Sequence, residues 1–157
     1  MIIREFKKED KVQVEIIFKM YWNDPVFQKE LSAELDVSNN SITESDWSRF
    51  YVAEENKAII GVAGFKSAPK YLKKFATTNN PIELYITAVK NKRQGIGEVL
   101  RTKRLNDAKK LGFTEALLYS PDTHKDSWAF HDTLGFVRVG TCTAPDGYPG
   151  MIWRKEL

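Results

Sequence analysis

Glu83-Leu84-Tyr85-Ile86-Thr87-Ala88-Val89-Lys90-Asn91-Lys92-Arg93-Gln94-Gly95-Ile96-Gly97-Glu98 is the most informative stretch of the chain. Ile82 to Val89 alternates, with Glu83, Tyr85 and Thr87 on one side and Leu84 and Ile86 on the other, so it reads as a strand. It runs into a basic turn containing glycines, and a helical pattern opens at Gly95-Ile96-Gly97 and continues to Leu111, closed by Gly112. Such a junction is a cradle for an anion. Glycine lets the backbone come close to a phosphate, and the N–H groups of the first helical turn point at it. It is not a Walker A loop, because no Gly-Lys-Ser/Thr follows, and it lacks the third glycine of a dinucleotide fingerprint. A simple tight turn is the competing reading.

Working outward, the chain reads as strand, helices, three strands, helix, strand, helix and two strands, an α/β domain with a mixed sheet. Residues 1–6 form the first strand. Val12, Ile16, Ile17 and Met20 give Lys11 to Trp22 a helical period, and Pro25 either stops that helix or opens a second through Phe27, Leu31 and Leu35. Asp36 to Asp46 reads as a loop. Two β-rich runs flank the polar turn 54–57 and predict a hairpin. In the segment opening at Gly95, the apolar stripe is Ile96, Val99, Leu100, Ala108 and Leu111. Glu115 to Ser120 is a strand, Asp126 to Leu134 a short helix capped by Gly135, and residues 136–142 and 151–156 are two closing strands.

The 157 residues suit a single domain spanning 1–157. With 42% hydrophobic and 29% charged residues, the chain can bury a core and is not of disordered composition. A net charge of +3 is too mild for a dedicated nucleic-acid binder. The lone cysteine, Cys142, cannot form an internal disulfide, and no apolar run approaches the length of a membrane span. These features predict a soluble, cytoplasmic protein. The average charge conceals an asymmetry. Residues 89–111 carry eight basic residues (Lys90, Lys92, Arg93, Arg101, Lys103, Arg104, Lys109 and Lys110) against Glu98 and Asp107, a net +6. Residues 21–48 carry Asp24, Glu30, Glu34, Asp36, Glu44 and Asp46 against Lys29, a net −5. One segment suits an anionic ligand and the other a cationic one; two solvated helical faces are the alternative.

Lys92-Arg93-Gln94-Gly95-Ile96-Gly97 resembles the Q/R-x-x-G-x-G/A motif of the GNAT superfamily of acetyl-CoA-dependent N-acetyltransferases. About 40 residues on, Phe130-His131-Asp132-Thr133-Leu134-Gly135-Phe136 resembles that family's second motif, commonly F-Y-x-x-L-G-F. The resemblance implies a mixed, mostly antiparallel sheet of six to seven strands flanked by about four helices. It implies acetyl-CoA as co-substrate, with the backbone of Gln94, Gly95, Ile96, Gly97 and Glu98 on the pyrophosphate. Thr87, Ala88 and Val89 would pair with the pantetheine arm as an added strand does. Lys90, Lys92 and Arg93 would supply positive charge, and the helix from Ser127 to Leu134 would lie along the pantetheine near the thioester. The sequence departs from the pattern at Lys92, where Gln or Arg is usual, at His124, where Asn is frequent, and at His131, where Tyr is common.

Acetyl transfer to an amine requires a neutral nucleophile and a proton for the departing thiolate. The resemblance makes Glu83 the candidate base, since a strand glutamate of this alignment serves as base in histone-acetyltransferase members. His131, in place of the tyrosine near the sulfur, is the candidate acid. A solvent-facing strand glutamate and a core histidine are the respective alternatives. Trp22 and Tyr85 are candidate acceptor-site residues, and Trp128 a further border. No metal is expected, because the His124/His131 spacing matches no zinc pattern. The expected acceptor is a small cationic amine such as a polyamine or aminoglycoside. A protein N-terminus or lysine is the nearer alternative, and an inactive acyl-CoA-binding sensor module is one of another class. No nucleic-acid or membrane partner is expected, and a homodimer stays open.

Overall fold

The structure is a computed structural model that describes residues 1–39, 42 and 47–157. Its seven strands are β1 (Ile2–Glu5), β2 (Ser48–Glu55), β3 (Ala58–Ser67), β4 (Pro81–Val89), β5 (Glu115–Pro121), β6 (Val137–Thr143) and β7 (Pro149–Glu156). The helices are α1 (Lys11–Tyr21), α2 (Pro25–Asp36), α3 (Lys70–Lys73), α4 (Ile96–Lys110) and α5 (Trp128–His131). The sheet order is β1-β2-β3-β4-β5-β7-β6. The β1–β2, β2–β3, β5–β7 and β6–β7 pairs are antiparallel, and β4–β5 is parallel. This is the mixed, mostly antiparallel sheet expected. Among the described residues five α-helices accompany it, two of them single turns.

Two compact units make up the chain, Met1–Ser67 with Tyr85–Asn106, and Ala68–Leu84 with Asp107–Leu157. In the first unit, Asn56 and Lys57 both take positive φ, 51° and 64°, the requirement of a two-residue type I′ turn, and this closes the β2–β3 hairpin. Pro25 opens α2, and the Asp24 carboxylate caps it by accepting from the Val26 N–H at 2.9 Å. Helix α1 buries Val14, Ile17 and Phe18, while Val12, Ile16 and Met20 lie exposed. The helix is apolar on two opposite sides at its step of about 100° per residue. Of the periodic set Val12, Ile16, Ile17 and Met20, only Ile17 faces the core.

Helix α4 bears out Ile96, Leu100 and Ala108 of the expected stripe and corrects the rest. Its inner side comprises Ile96, Leu100, Leu105 and Ala108 together with Arg101 and Arg104, whereas Val99 and Leu111 are exposed. Close packing of this helix depends on Gly61 in β3, where a Cβ would stand 3.0 Å from Ile96 Cγ2 and 3.2 Å from Leu100 Cδ1.

The sharpest departure lies in β4. Ile86 has φ +56°, a left-handed conformation that a β-branched residue rarely adopts, so the expected two-sided alternation breaks there. The parallel register with β5 runs from Pro81↔Glu115 to Glu83↔Leu117, ahead of this kink.

In the second unit, Trp128 and Trp153 meet edge to face at 5.5 Å, and Trp128 Nε1 donates to Ser120 Oγ at 3.1 Å. Trp128 is therefore packed into the core of this unit. Glu115 is buried and accepts from Thr77 N–H at 2.9 Å and Thr77 Oγ1 at 2.6 Å, which orders the segment before β4. The predicted helix 126–134 is shorter. A 3₁₀ stretch, Asp122–Ser127, is kinked at His124, and α5 follows for one turn. The chain then leaves through Leu134 (φ 55°) and Gly135 (φ 83°).

Candidate functional site

The first unit holds the glycine turn. Arg93, Gln94, Gly95 and Glu98 are exposed, while Ile96 is buried and anchors the helix start. Arg93 (φ 66°) and Gly95 (φ 76°) both take the left-handed conformation. Such alternation turns successive backbone N–H groups toward one point, a nest suited to an anion. The first helical bond of α4 is Val99 N–H to the Gly95 carbonyl at 3.1 Å, so the N–H groups of Ile96, Gly97 and Glu98 precede the intrahelical ladder and are directed out of its end. The sequence-derived cradle residues thus run from the turn into the first residues of α4.

Thr87, Ala88 and Val89 follow the kink. Ala88 is buried in the core of this unit. The Thr87 hydroxyl accepts from Arg104 Nη2 at 2.8 Å, and Arg104 Nη1 donates to the Gly64 carbonyl at 2.8 Å and to the Ile86 carbonyl at 3.3 Å. Burial pushes the Arg104 pKa down to about 9, which leaves the guanidinium charged at neutral pH. Arg101 is also buried. Two of the eight cations counted between residues 89 and 111 are therefore interior residues, not part of a surface field. Arg104 was missed as a site-supporting residue because a basic residue on a helix is ordinarily solvent-facing. Its place one turn beyond Leu100 was the available signal.

Tyr21, also missed, contacts the same strand. Its hydroxyl donates to the Val89 carbonyl at 2.7 Å, and its ring carries Lys92 Nζ at 5.3 Å. Trp22 is half-buried and packs beside Tyr21 at 5.5 Å and Phe27 at 5.7 Å. Tyr85 packs edge to face on Phe50 at 6.3 Å and carries Lys66 Nζ at 3.9 Å over its ring.

The acidic segment is largely engaged within the protein. Asp24 caps α2, Glu34 pairs with Lys66 at 3.2 Å, and Asp36 pairs with Lys11 at 2.7 Å. Glu44 and Asp46 lie outside the described residues. The −5 count is thus not a measure of free negative surface.

In the second unit, Glu83 is buried, 6% exposed, rather than solvent-facing. It lies close enough to Tyr71 to act on it: burial raises the Tyr71 pKa well above the ordinary phenol range, and the Glu83 charge adds to this. His124, Ser127 and His131 come together. Ser127 Oγ donates to the His124 carbonyl at 2.8 Å and stands 3.4 Å from His131 Nε2. The imidazole also meets the edge of Trp153 at 5.0 Å. Cys142 is half-buried, and burial raises its thiol pKa, which suits a packing role. Among the described residues, no group of three His, Cys, Asp or Glu is arranged to hold a metal ion, and no helix is long and apolar enough to cross a membrane.

Residues 14–136 match the model of the acetyltransferase (GNAT) family. By sequence, no curated protein matches the chain. Solved structures share its fold. The PaiA N-acetyltransferase of Thermoplasma acidophilum, in complex with coenzyme A, superposes with a TM-score of 0.70 at 18% identity, over 99% of this chain and 98% of that one. The aminoglycoside 6′-N-acetyltransferase of Enterococcus faecium gives 0.74 at 17% identity, over 99% and 97%. The ribosomal-protein-S18-alanine N-acetyltransferase of Escherichia coli gives 0.70 at 16% identity, over 99% and 92%.

Proposed function

The chain belongs to the acetyltransferase (GNAT) family, and from that premise we propose that it moves the acetyl group of acetyl-CoA directly to a primary amine. The observation that carries this reading is the strand-to-helix turn, with left-handed Arg93 and Gly95 ahead of the first N–H groups of α4. In it, the backbone of residues 94–98 holds the pyrophosphate, Lys92 and Arg93 add positive charge, and Thr87, Ala88 and Val89 supply a strand edge for the pantetheine amides. His124 and Ser127 belong to the thioester side of the reading.

The chemistry asks little more of the protein. The amine nitrogen bonds to the acetyl carbon as the carbon–sulfur bond breaks. Glu83 takes the proton that the amine sheds, and His131 returns one to the departing sulfur. Trp22 and Tyr85 are assigned to the acceptor. A small cationic amine, of the polyamine or aminoglycoside class, is the acceptor we favour. Tyr85 supports that choice through the chemistry of its ring, whose face carries one alkylammonium, that of Lys66, at 3.9 Å.

Release of free CoA thiol from acetyl-CoA over a panel of amines tests the proposal. Polyamines or aminoglycosides should stimulate release. Stimulation only by peptides with a free N-terminus or lysine would reassign the acceptor. Tight acetyl-CoA binding with no release from any amine would make the protein a coenzyme-binding sensor and not an enzyme.

A further inference from the structure

The end of β4 presents a backbone edge that already has a partner. Along an extended strand, the N–H and C=O of one residue point to the same edge, and those of the next residue point to the other. Lys90 N–H donates to the Ile60 carbonyl of β3 at 2.9 Å, so Val89 directs its two backbone groups away from β3. A single side chain meets both. Tyr21 Oη donates to the Val89 carbonyl at 2.7 Å and accepts from the Val89 N–H at 3.3 Å.

A hydroxyl can donate and accept at once, so one phenol does here what an added peptide or a ligand amide does at a free strand edge. The position is also suited to movement. Tyr21 is the last residue of α1, half-buried, and the chain turns extended at Trp22 (φ −131°, ψ 115°) before α2 begins. The ring meanwhile carries Lys92 Nζ at 5.3 Å, so the same side chain touches both the strand edge and the basic turn.

We propose that Tyr21 gates the coenzyme site: its hydroxyl holds the Val89 edge in the free protein and yields it to an amide of the pantetheine arm on binding. The inference rests on the acetyl-CoA reading above and adds a residue that no motif contains. Binding then exchanges hydrogen bonds on Val89 instead of creating them, and the tip of α1 shifts as the coenzyme enters. Trp22, adjacent in sequence and 5.5 Å from the Tyr21 ring, shifts with it, which ties coenzyme loading to a residue assigned to the acceptor.

Tyr21→Phe removes the competing hydroxyl and keeps the ring and its packing. Calorimetry or competition binding should show coenzyme A held about fivefold more tightly by the variant, the worth of one ordinary hydrogen bond. Adenosine 3′,5′-bisphosphate, which lacks the pantetheine amides, should bind both proteins equally. Unchanged or weakened coenzyme A affinity in the variant overturns the gate while leaving the functional reading in place. Equal tightening toward both ligands overturns it too, by showing a general change in the loop. Failure of the wild-type protein to bind coenzyme A removes the functional reading and the gate together.

Discussion

Arg104 donates from Nη1 to the carbonyl of Ile86 at 3.3 Å, the one residue of β4 with a left-handed backbone. An isoleucine in that conformation costs on the order of 1–2 kcal/mol and persists only where its surroundings hold it. The guanidinium does so with its planar fork, which reaches Gly64 O and Thr87 Oγ1 as well. Beyond this clamp the chain supplies the residues proposed to meet the pantetheine. A buried cation thus fixes the shape of the strand from inside.

Removing the clamp has a definite cost. Arg104→Met leaves two backbone carbonyls and a hydroxyl without their charged donor, and a loss of about 2–4 kcal/mol is expected. Arg104→Lys, a compact charge without the fork, should recover only part of it. Urea unfolding at pH 7 measures both. A methionine variant as stable as the wild type would show that the guanidinium holds nothing.

Asp10 anchors the other end of the first unit. It accepts from Arg4 Nη1 at 2.8 Å and Nη2 at 2.9 Å, and from the Lys7 N–H at 2.8 Å. The Arg4 hydrogen bonds hold its pKa below the ordinary 3.8, against the opposing effect of burial. The carboxylate therefore contributes its full stabilisation above pH 3.8, where both folded and unfolded states are ionised. Below that the unfolded chain takes up the proton first, and the contribution falls away as pH drops through the folded value. Asp10→Asn should cost about 1–3 kcal/mol at pH 7, with the gap to wild type narrowing toward pH 2. A gap independent of pH would rule out the linkage.

The fold was legible where residue type and geometry agree. Gly95, Gly112 and Gly135 all stand at positive φ where the sequence places a turn or helix end, and Pro25 opens a helix with Asp24 before it. Ile86 was not legible, because tertiary hydrogen bonding from Arg104 overrides the local preference of a β-branched residue. Charge counting failed for a related reason. It cannot tell Arg101 and Arg104, which are interior, from Lys92 and Arg93, which are exposed, nor does it register that Glu34 and Asp36 are already paired. Tyr21 escaped because its partner is backbone 68 residues away, which leaves no trace in a motif.

Gly95 separates conformation from charge at the proposed cradle. Nothing lies within 4 Å of where a Cβ would stand, so Gly95→Ala meets only the penalty of φ +76°, about 1 kcal/mol of stability. Gly95→Asp adds a negative charge beside the pyrophosphate and should weaken coenzyme A binding more than tenfold beyond the alanine variant. Equal affinities for the two variants in calorimetry would move the phosphates elsewhere.

His131 is open to a test by replacement. Its Nε2 stands 3.4 Å from Ser127 Oγ, and its ring packs on Trp153. His131→Phe keeps an aromatic ring but no donor, and should lower kcat by about 10²-fold with coenzyme affinity within twofold. His131→Tyr restores an O–H at the position where the family's second motif commonly has tyrosine, and should recover much of the rate. Equal turnover in the phenylalanine and tyrosine variants would exclude a proton donor there.

Glu83 makes the strongest kinetic prediction. A base is needed because an amine acceptor is mostly protonated at neutral pH, and a buried carboxylate in a strand cannot be dismissed as surface charge. Glu83→Gln preserves the shape and removes the proton acceptor. At pH 7 its kcat/KM should fall by about 10²–10⁴-fold. Raising the pH increases the free-amine fraction tenfold per unit until the acceptor itself has titrated, so the variant should regain rate steeply while the wild type changes less. The two pH profiles should converge from below as the solution takes over the task of the carboxylate. Profiles that run parallel from pH 6 to 10, separated by a constant factor, would reassign Glu83 to positioning, with its charge acting on Tyr71 instead of on the amine.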